Sequence, residues 1–206
     1  MYHLRCISGV CPGRENKINK VARRGAFPHI VAALAISGGL LALSSLPALA
    51  ATLHGRVVAV ADGDTITVLT AARKSERIRL AGIDAPESKQ AFGAASKRSL
   101  SALVFGAEVS VEYAKRDRYG RIVGRVLRDG RDAGLAQIEA GLAWHYLRYA
   151  SEQPQADRAA YARAERSARS AALGLWVDAA PVAPWDWRRQ RADARRAQAP
   201  RLSSPQ

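Results

Sequence analysis

Alternating apolar and polar residues predict β structure in the part of the chain that follows residue 50. A valine-rich run predicts a strand from Leu53 to Val60, and the turn residues Asp62-Gly63-Asp64 interrupt it before the alternation resumes from Thr65 to Leu69. A third strand is predicted from Glu76 to Ile83, with apolar side chains on one face and arginines on the other. The first two strands therefore form a predicted hairpin, and the third follows after a short polar link.

The pattern then changes between helical and strand periods. Apolar residues spaced three and four apart predict an amphipathic helix, and clean alternation predicts two more strands. The predicted helices are Phe92–Phe105, Leu135–Ala140 and Gln155–Leu173, and the two strands are Glu108–Tyr113 and Arg121–Leu127. The last helix is rich in alanine, which permits close packing on a neighbouring surface.

This order of elements predicts a mainly β, α+β fold. Five short strands with helices between and after them fit a strongly bent, five-stranded barrel of the oligonucleotide-binding (OB) type, with three helices packed against it. We predict that this domain covers residues 51–177. The remaining residues 178–206 are rich in Pro, Ala and Arg, and from residue 188 onward they carry six arginines against one aspartate. They predict a solvated basic tail, which Trp185 and Trp187 are expected to hold onto the domain.

Residues 1–50 have the pattern of a secretory signal. A basic segment precedes an apolar run from Ile30 to Leu46, and the small residues up to Ala50 resemble a cleavage site. Val21 is an alternative start, and Arg23-Arg24 raises a twin-arginine route whose flanking residues fit poorly. The alternative to cleavage is an anchor helix, against which the glycines and serines of the run argue. We therefore expect an exported protein, periplasmic or secreted, without a membrane span in its mature form.

Charge and cysteine content constrain the mature chain. The chain has 32 Lys+Arg and 18 Asp+Glu, and residues 51–206 alone carry a net charge of +9. A basic protein of this kind encounters polyanions readily, whether nucleic acid, anionic lipid or acidic polysaccharide. Both cysteines, Cys6 and Cys11, precede residue 51, so we expect the mature protein to have no disulfide and to depend for its stability on packing, or on a bound metal and ligand. We expect a monomer.

Carboxylates are concentrated where the predicted strands end. Asp62 and Asp64 lie in the hairpin turn, Asp84 and Glu87 follow the third strand, and Arg79 lies on that strand. Taken singly, each is an ordinary turn residue, strand terminator or solvated arginine. Because adjoining strand ends lie close together, these groups can share one small volume suited to a hard cation and a phosphate.

Six ordered stretches of the chain resemble the staphylococcal nuclease (thermonuclease) family. The matching stretches are Asp62-Gly-Asp-Thr65, Arg79-Leu-Ala-Gly-Ile-Asp-Ala-Pro-Glu87, Phe92-Gly-Ala-Ala-Ser96, Asp117-Arg-Tyr-Gly-Arg121, Gly141-Leu-Ala-Trp144 and Leu175-Trp176. They span about Leu53 to Trp176, and the family fold is the barrel with three helices. The resemblance implies a Ca²⁺-dependent phosphodiesterase that acts on DNA and RNA with little sequence preference and leaves 3′-phosphates.

The resemblance also implies roles for individual residues. Asp64 and Asp84 match carboxylate ligands of Ca²⁺, and Ala85 matches a residue that contributes its backbone carbonyl, so that its side chain matters little. Asp62 would lie one layer behind these ligands. Ca²⁺ takes six to eight oxygens in general, which leaves room for water and a phosphate oxygen.

Three charged residues match the catalytic group of the family. Glu87 matches the glutamate that orients or deprotonates the attacking water, and Arg79 and Arg121 match the pair that holds the phosphate. Arginine suits this task because its planar fork bonds two oxygens and stays charged.

The chain departs from the family prototype at three places. Only four residues, 88–91, separate Glu87 from the next helix, and Leu147 replaces one of two tyrosines near the substrate base. Tyr149 matches the other, so it either stacks on a base or packs on the barrel. The arginine-rich tail is the third departure. The alternative to a nuclease is a catalytically silent relative that binds nucleic acid or anionic surfaces. His54 and His145 have no partners at zinc spacing and are expected to be exposed or structural.

Overall fold

A closed barrel of five strands forms the centre of the protein, seen in a computed structural model that describes residues 51–198. The predicted leader and the last residues of the tail lie outside the described residues. The strands are β1 (Ala51–Val60), β2 (Thr65–Thr70), β3 (Ser75–Leu80), β4 (Ile83–Asp84), β5 (Glu108–Arg116), β6 (Ile122–Arg128), β7 (Arg131–Asp132) and β8 (Trp144–His145). The α-helices of this part are α1 (Gly93–Val104), α2 (Ala133–Glu139), α3 (Gln155–Ser170) and α4 (Pro184–Gln198), with 3-10 helices at Leu147–Glu152 and Gly174–Val177.

Strand pairing closes the barrel through one parallel contact. β1 pairs antiparallel with β2 and β5, β2 pairs with β3, and β5 pairs with β6. The parallel pairing of β3 with β6 joins the two ends of the sheet. Irregular registers interrupt β1 between Val57 and Ala59 and β5 between Tyr113 and Lys115, and such bulges bend strands enough for a small barrel to close. The predicted five-stranded, mainly β barrel is confirmed.

The barrel interior follows from the alternation in the sequence. Ile78 and Leu80 are buried on β3, whereas Arg77 is exposed and Arg79 is only partly covered. The core also contains aliphatic side chains from the other strands and the helices, which are Val57, Ile66, Val68, Leu100, Val104, Val109, Val111, Ile122, Val126 and Ile138. Burial of this apolar surface is the main stabilising contribution to the domain.

An ion-paired cluster joins α2 and α3 to the barrel. Asp132 caps α2 by accepting hydrogen bonds from the backbone N–H groups of Gly134 and Leu135. The same carboxylate accepts a 2.8 Å bond from the buried Tyr161 hydroxyl of α3 and a 2.9 Å bond from Arg125 of β6. Burial and the Asp132 carboxylate both raise the pKa of Tyr161, so the phenol stays a donor at all ordinary pH values.

Aromatic residues form a second, smaller core. Trp176 is buried with Leu175 and Ala168, and Trp144 packs against it with ring centroids 4.4 Å apart. Trp176 is therefore a core residue, and Trp144 covers it from one side. His145 is buried, with its Nε2 3.3 Å from Gln153 Oε1, and His54 is exposed, which confirms the expectation of structural or exposed histidines.

The region after residue 178 contains a helix that the sequence analysis did not predict. The composition predicted a solvated basic tail, and Pro184–Gln198 of this region is an α-helix. Its residues from Arg189 onward are exposed, as expected of a solvated segment. Across residues 51–198, none of the helices has the length and apolar character that crossing a bilayer requires.

Candidate active site

The turn between β1 and β2 is held by its own side chains and by β3. An Asp62 Oδ1 atom accepts a 3.0 Å hydrogen bond from the Asp64 N–H, a side-chain turn typical of aspartate. The backbone N–H of Leu80 donates to the Asp64 carbonyl at 2.8 Å. The start of β2 is therefore locked beside the end of β3, and the Asp62 side chain bonds the backbone of Asp64 within this turn.

Arg79 joins the two central carboxylates. Its Nη1 lies 3.0 Å from Asp64 Oδ2, and its Nη2 lies 2.8 Å from Asp84 Oδ1. Asp64 and Asp84 are buried, at 6% and 1% exposure, while the Arg79 side chain is 16% exposed. Three residues that the sequence placed at neighbouring strand ends thus form one buried charge cluster.

Asp64 has an unusual electrostatic environment. Burial raises its pKa to about 7, and the nearby carboxylates of Asp62 and Asp84 add to this rise. Arg79 and the 2.7 Å hydrogen bond from the Ala85 N–H act in the opposite direction without cancelling it. Burial therefore disfavours the charged form of Asp64, and additional positive charge beside this carboxylate would stabilise its ionised form.

A short ribbon of two strands positions Asp84, the second carboxylate of the cluster. Asp84 of β4 pairs with Trp144 of β8, and its neighbour Ala85 is buried against the hairpin turn. The chain then turns so that the Gln90 N–H bonds the Glu87 carbonyl at 2.8 Å. A methyl group on Gly93 would lie 2.0 Å from that carbonyl oxygen, so the start of α1 fixes the segment that carries Glu87.

Two buried polar residues that were absent from the predicted site support the hairpin turn. Gln137 Nε2 of α2 donates to the Gly63 carbonyl at 2.9 Å and to the Ser96 carbonyl at 3.0 Å. Ser96 of α1 donates from Oγ to the Leu142 carbonyl at 2.7 Å. Gly63 lies against Ser96 so closely that a Cβ atom there would be 1.8 Å from Ser96 Oγ. No local sequence pattern distinguishes Ser96 and Gln137 from solvent-exposed polar residues, so sequence analysis could not assign them to the site.

Arg121 lies just before β6, on the same groove but outside the carboxylate cluster. Its Nε pairs with Asp117 Oδ2 at 2.7 Å, and Asp117 Oδ1 also accepts the Arg121 and Tyr119 backbone N–H groups. Although burial opposes it, hydrogen bonding to Arg121 lowers the pKa of Asp117. A charged turn therefore holds the second arginine, with its guanidinium 5.6 Å from the Tyr119 ring centroid.

All the predicted site residues line one open groove of about 1320 Å³. Tyr149 is 47% exposed on its wall, with its ring edge-on to Tyr146 at 5.7 Å and Lys115 Nζ 5.0 Å from its centroid. It is therefore not part of the buried barrel core. Whether it stacks on a base stays a prediction, which its exposure permits.

Helix α4 adds an arginine that sequence analysis did not assign to the site. Arg188 Nη2 lies 2.7 Å from Asp84 Oδ2, and Nη1 lies 2.6 Å from Glu87 Oε1. Burial alone would lower its pKa, but the hydrogen bonds to Asp84 and Glu87 outweigh this and raise it. Of the two tryptophans expected to hold the tail, Trp185 stacks on Tyr146 at 5.4 Å, whereas the Trp187 ring has Arg191 of the same helix 5.5 Å from its centroid.

The donor atoms of the cluster suit a hard cation. Within residues 51–198, no three His, Cys, Asp or Glu side chains converge as a complete metal cluster. Asp64 and Asp84 supply two carboxylates, and all donors here are oxygens. Carboxylate oxygen donors fit Ca²⁺ or Mg²⁺ rather than Zn²⁺ or copper. The residues present therefore fit a dication whose remaining ligands are waters or substrate oxygens.

Comparison with known proteins agrees with this geometry. Residues 77–178 match the family described as staphylococcal nuclease homologue. The chain is 44% identical over 153 residues to an uncharacterized endonuclease of Escherichia coli, covering 74% of this chain and 95% of that protein. It is 40% identical over 174 residues to a micrococcal nuclease of Shigella flexneri, covering 80% and 97%. A relative in Haemophilus influenzae, also called an uncharacterized endonuclease, is 42% identical over 135 residues, covering 66% and 72%. The chain belongs to the family of staphylococcal nuclease homologues.

Proposed function

We propose that this protein is a Ca²⁺-dependent endonuclease that hydrolyses phosphodiester bonds of DNA and RNA with little sequence preference. The observation that carries the proposal is the convergence of Asp64, Asp84, Arg79 and Glu87 at one end of an open groove. The names of the relatives support nuclease chemistry. The choice of Ca²⁺ and the 3′-phosphate products are inferred from the family resemblance.

The residues divide the chemical task among them. Asp64, Asp84 and the Ala85 carbonyl would hold the cation, which supplies positive charge to a phosphate oxygen. Arg79 and Arg121 would bind the other phosphate oxygens and stabilise the charge that develops during attack. Because Arg79 is already fixed by two carboxylates, its orientation requires little reorganisation when the substrate arrives.

Glu87 would handle the proton of the attacking water. Its side chain is partly exposed at the groove, so water and substrate can reach it. A carboxylate at this place can accept a proton from a water molecule or orient it by a hydrogen bond. Tyr149, on the groove wall, would provide a surface on which a base stacks.

Digestion of plasmid DNA and of RNA by the purified chain tests the proposal. We expect cleavage in CaCl₂, none with a chelator, and products that carry 3′-phosphates. Arg79→Ala and Arg121→Ala should each slow cleavage by about 10²–10³-fold. Arg77→Ala is the matched control, since Arg77 is an exposed arginine on the same strand as Arg79, and it should cleave at the wild-type rate.

Two outcomes would overturn the proposal. If the wild-type protein binds nucleic acid but does not cut it in CaCl₂, the protein is a catalytically silent binding module. If both arginine variants cut as fast as Arg77→Ala, the site assignment is wrong.

We also propose that residues 1–50 direct export to the periplasm or the medium. The support is the basic, apolar and small-residue pattern of that segment. Cell fractionation with N-terminal sequencing of the exported protein tests it, and a product that begins near Ala51 is expected. Full-length protein in the cytoplasm would contradict it.

A further inference from the structure

Helix α4 lies over the carboxylate end of the groove. Pro184 is buried at its first position, and Trp185 stacks on Tyr146 at 5.4 Å and meets Trp144 edge-on at 5.5 Å. The segment before the helix is held by Gln90, whose Nε2 donates to the Val182 carbonyl at 2.6 Å. Beyond Arg188 the helix is exposed. Its attachment therefore depends on the buried Pro184, the two aromatic contacts of Trp185, one hydrogen bond and Arg188.

Arg188 bonds the carboxylate oxygens of Asp84 and Glu87, to which the proposed function assigns the cation and the attacking water. Its Nη2 and Nη1 lie 2.7 Å and 3.3 Å from the two carboxylate oxygens of Asp84, and Nη1 lies 2.6 Å from Glu87 Oε1. Because Arg79 also bonds Asp84 Oδ1, both oxygens of this carboxylate have guanidinium partners. A cation ligated by Asp84 must displace at least one of them.

The two guanidiniums differ in how easily they can leave. The Arg79 side chain is 16% exposed, lies on a barrel strand and contacts both Asp64 and Asp84. The Arg188 side chain is 46% exposed and lies on a helix that few contacts attach. Arg188 is therefore the group that a cation would displace. Like charges at a few ångströms repel strongly outside bulk water, so a dication on Asp84 and Arg188 in this position exclude each other.

We propose that α4 is an autoinhibitory strap, in which Arg188 occupies the cation side of Asp84 and Glu87 until a divalent cation displaces it. This rests on the proposed function, because it assigns cation binding to Asp84. The strap keeps the buried carboxylates neutralised when no cation is bound. It raises the cation concentration at which the site opens to substrate.

Binding of CaCl₂ alone, measured by calorimetry on the full chain without nucleic acid, tests the strap. If the open state is about 1–10% populated, apparent affinity is reduced about tenfold to a hundredfold, and Arg188→Ala should restore that factor. Trp185→Ala, which removes the stacking contact, should raise affinity in the same direction by a smaller factor. Arg189→Ala is the matched control, since Arg189 is 72% exposed and pairs only with Asp186 of the same helix among the described residues.

Trypsin cleavage provides a second measurement that does not depend on activity. CaCl₂ should speed cleavage after Arg188 and Arg189 in the wild-type protein, because displacement frees the helix. In digestion assays, Arg188→Ala should need less CaCl₂ for half-maximal rate and should match the wild type within about twofold at saturation.

The outcomes separate this inference from the proposed function. Equal Ca²⁺ affinity in Arg188→Ala and Arg189→Ala overturns the strap while leaving a nuclease that cuts plasmid intact. So does a tenfold loss of saturated rate in Arg188→Ala, which would instead make Arg188 a phosphate-binding residue. Failure of the wild-type protein to cut nucleic acid in CaCl₂ counts against the proposed function.

Discussion

Crowding at Gly63 links the stability of the hairpin turn to the site. A Cβ atom at this position would lie 1.8 Å from Ser96 Oγ and 2.7 Å from the Ala85 Cβ atom. Ser96 cannot turn away freely, because its hydroxyl donates to the Leu142 carbonyl and accepts from Gln137. Gly63→Ala must therefore move α1 or shift the turn that carries Asp64.

The cost of Gly63→Ala can be worked out from these contacts. Overpacking a tight site costs about 1–3 kcal/mol, and breaking the hydrogen bonds of Ser96 adds about 1 kcal/mol. We expect the free energy of unfolding, measured in urea by tryptophan fluorescence, to fall by about 2–4 kcal/mol. Plasmid cleavage by the folded protein should fall as well, since Asp64 and Ala85 would be displaced.

A double-mutant cycle with Ser96→Ala tests the cause. Removing the Ser96 Oγ atom relieves the shortest contact. The loss of unfolding free energy in the double variant should therefore be about 1–2 kcal/mol smaller than the sum of the two single losses. Gly106→Ala is the control, because it has a positive φ of +75° but no atom within 4 Å of an added Cβ. It should cost about 1 kcal/mol from backbone strain and leave cleavage unchanged. Additive costs in the cycle, or a Gly63→Ala protein as stable as wild type, would refute the crowding explanation.

Two further predictions concern stability away from the catalytic groups. Hydrogen bonds from Arg116 and Lys74 lower the pKa of Glu76 to about 2. The ionised Glu76 therefore stabilises the folded protein above the ordinary carboxyl pKa of 4.5, and this contribution is lost as the pH falls from about 4.5 to 2. Glu76→Gln should cost about 1–2 kcal/mol at pH 7 after solvent screening of its exposed partners, and the difference from wild type should vanish near pH 2. Tyr161→Phe removes the 2.8 Å hydrogen bond to the buried Asp132 carboxylate and should cost about 1.5–3 kcal/mol in urea unfolding.

Matched controls make both predictions specific. Glu108→Gln removes an exposed pair with Arg56 and should change stability by less than about 1 kcal/mol at any pH. A Glu76→Gln protein whose deficit persists unchanged at pH 2 would contradict the charge assignment. Tyr113→Phe, on the half-buried face of β5, is the control for Tyr161, and equal costs of the two changes would contradict the role given to Asp132.

The barrel was predictable because burial on one face imposes alternation on the sequence. The third strand was predicted to run to Ile83, but it ends at Leu80, and β4 then pairs with β8 in a separate ribbon. The strand breaks at Gly82, which has a φ of +72°. One glycine within a run of alternating residues was not a strong enough signal to predict the break. The break matters, because it points Asp84 back toward Arg79.

The acidic cluster was predictable because its members lie at the ends of strands that are adjacent in sequence. The supporting residues were not, because the Gln137 amide reaches Gly63 across 74 positions of the chain. Helix α4 was missed for a different reason. It has no apolar stripe and is anchored mainly through Trp185, although Pro184 at its first position and Asp186 in its first turn are ordinary helix-start signals.

The rate of plasmid cleavage by Glu87→Gln at saturating CaCl₂ tests the central claim most directly, because this change removes one negative charge at nearly constant shape. If Glu87 handles the proton of the attacking water, the rate should fall by about 10²–10⁴-fold relative to wild type, with substrate binding retained. A Glu87→Gln protein that cuts within twofold of the wild-type rate would contradict the hydrolytic role assigned to this cluster.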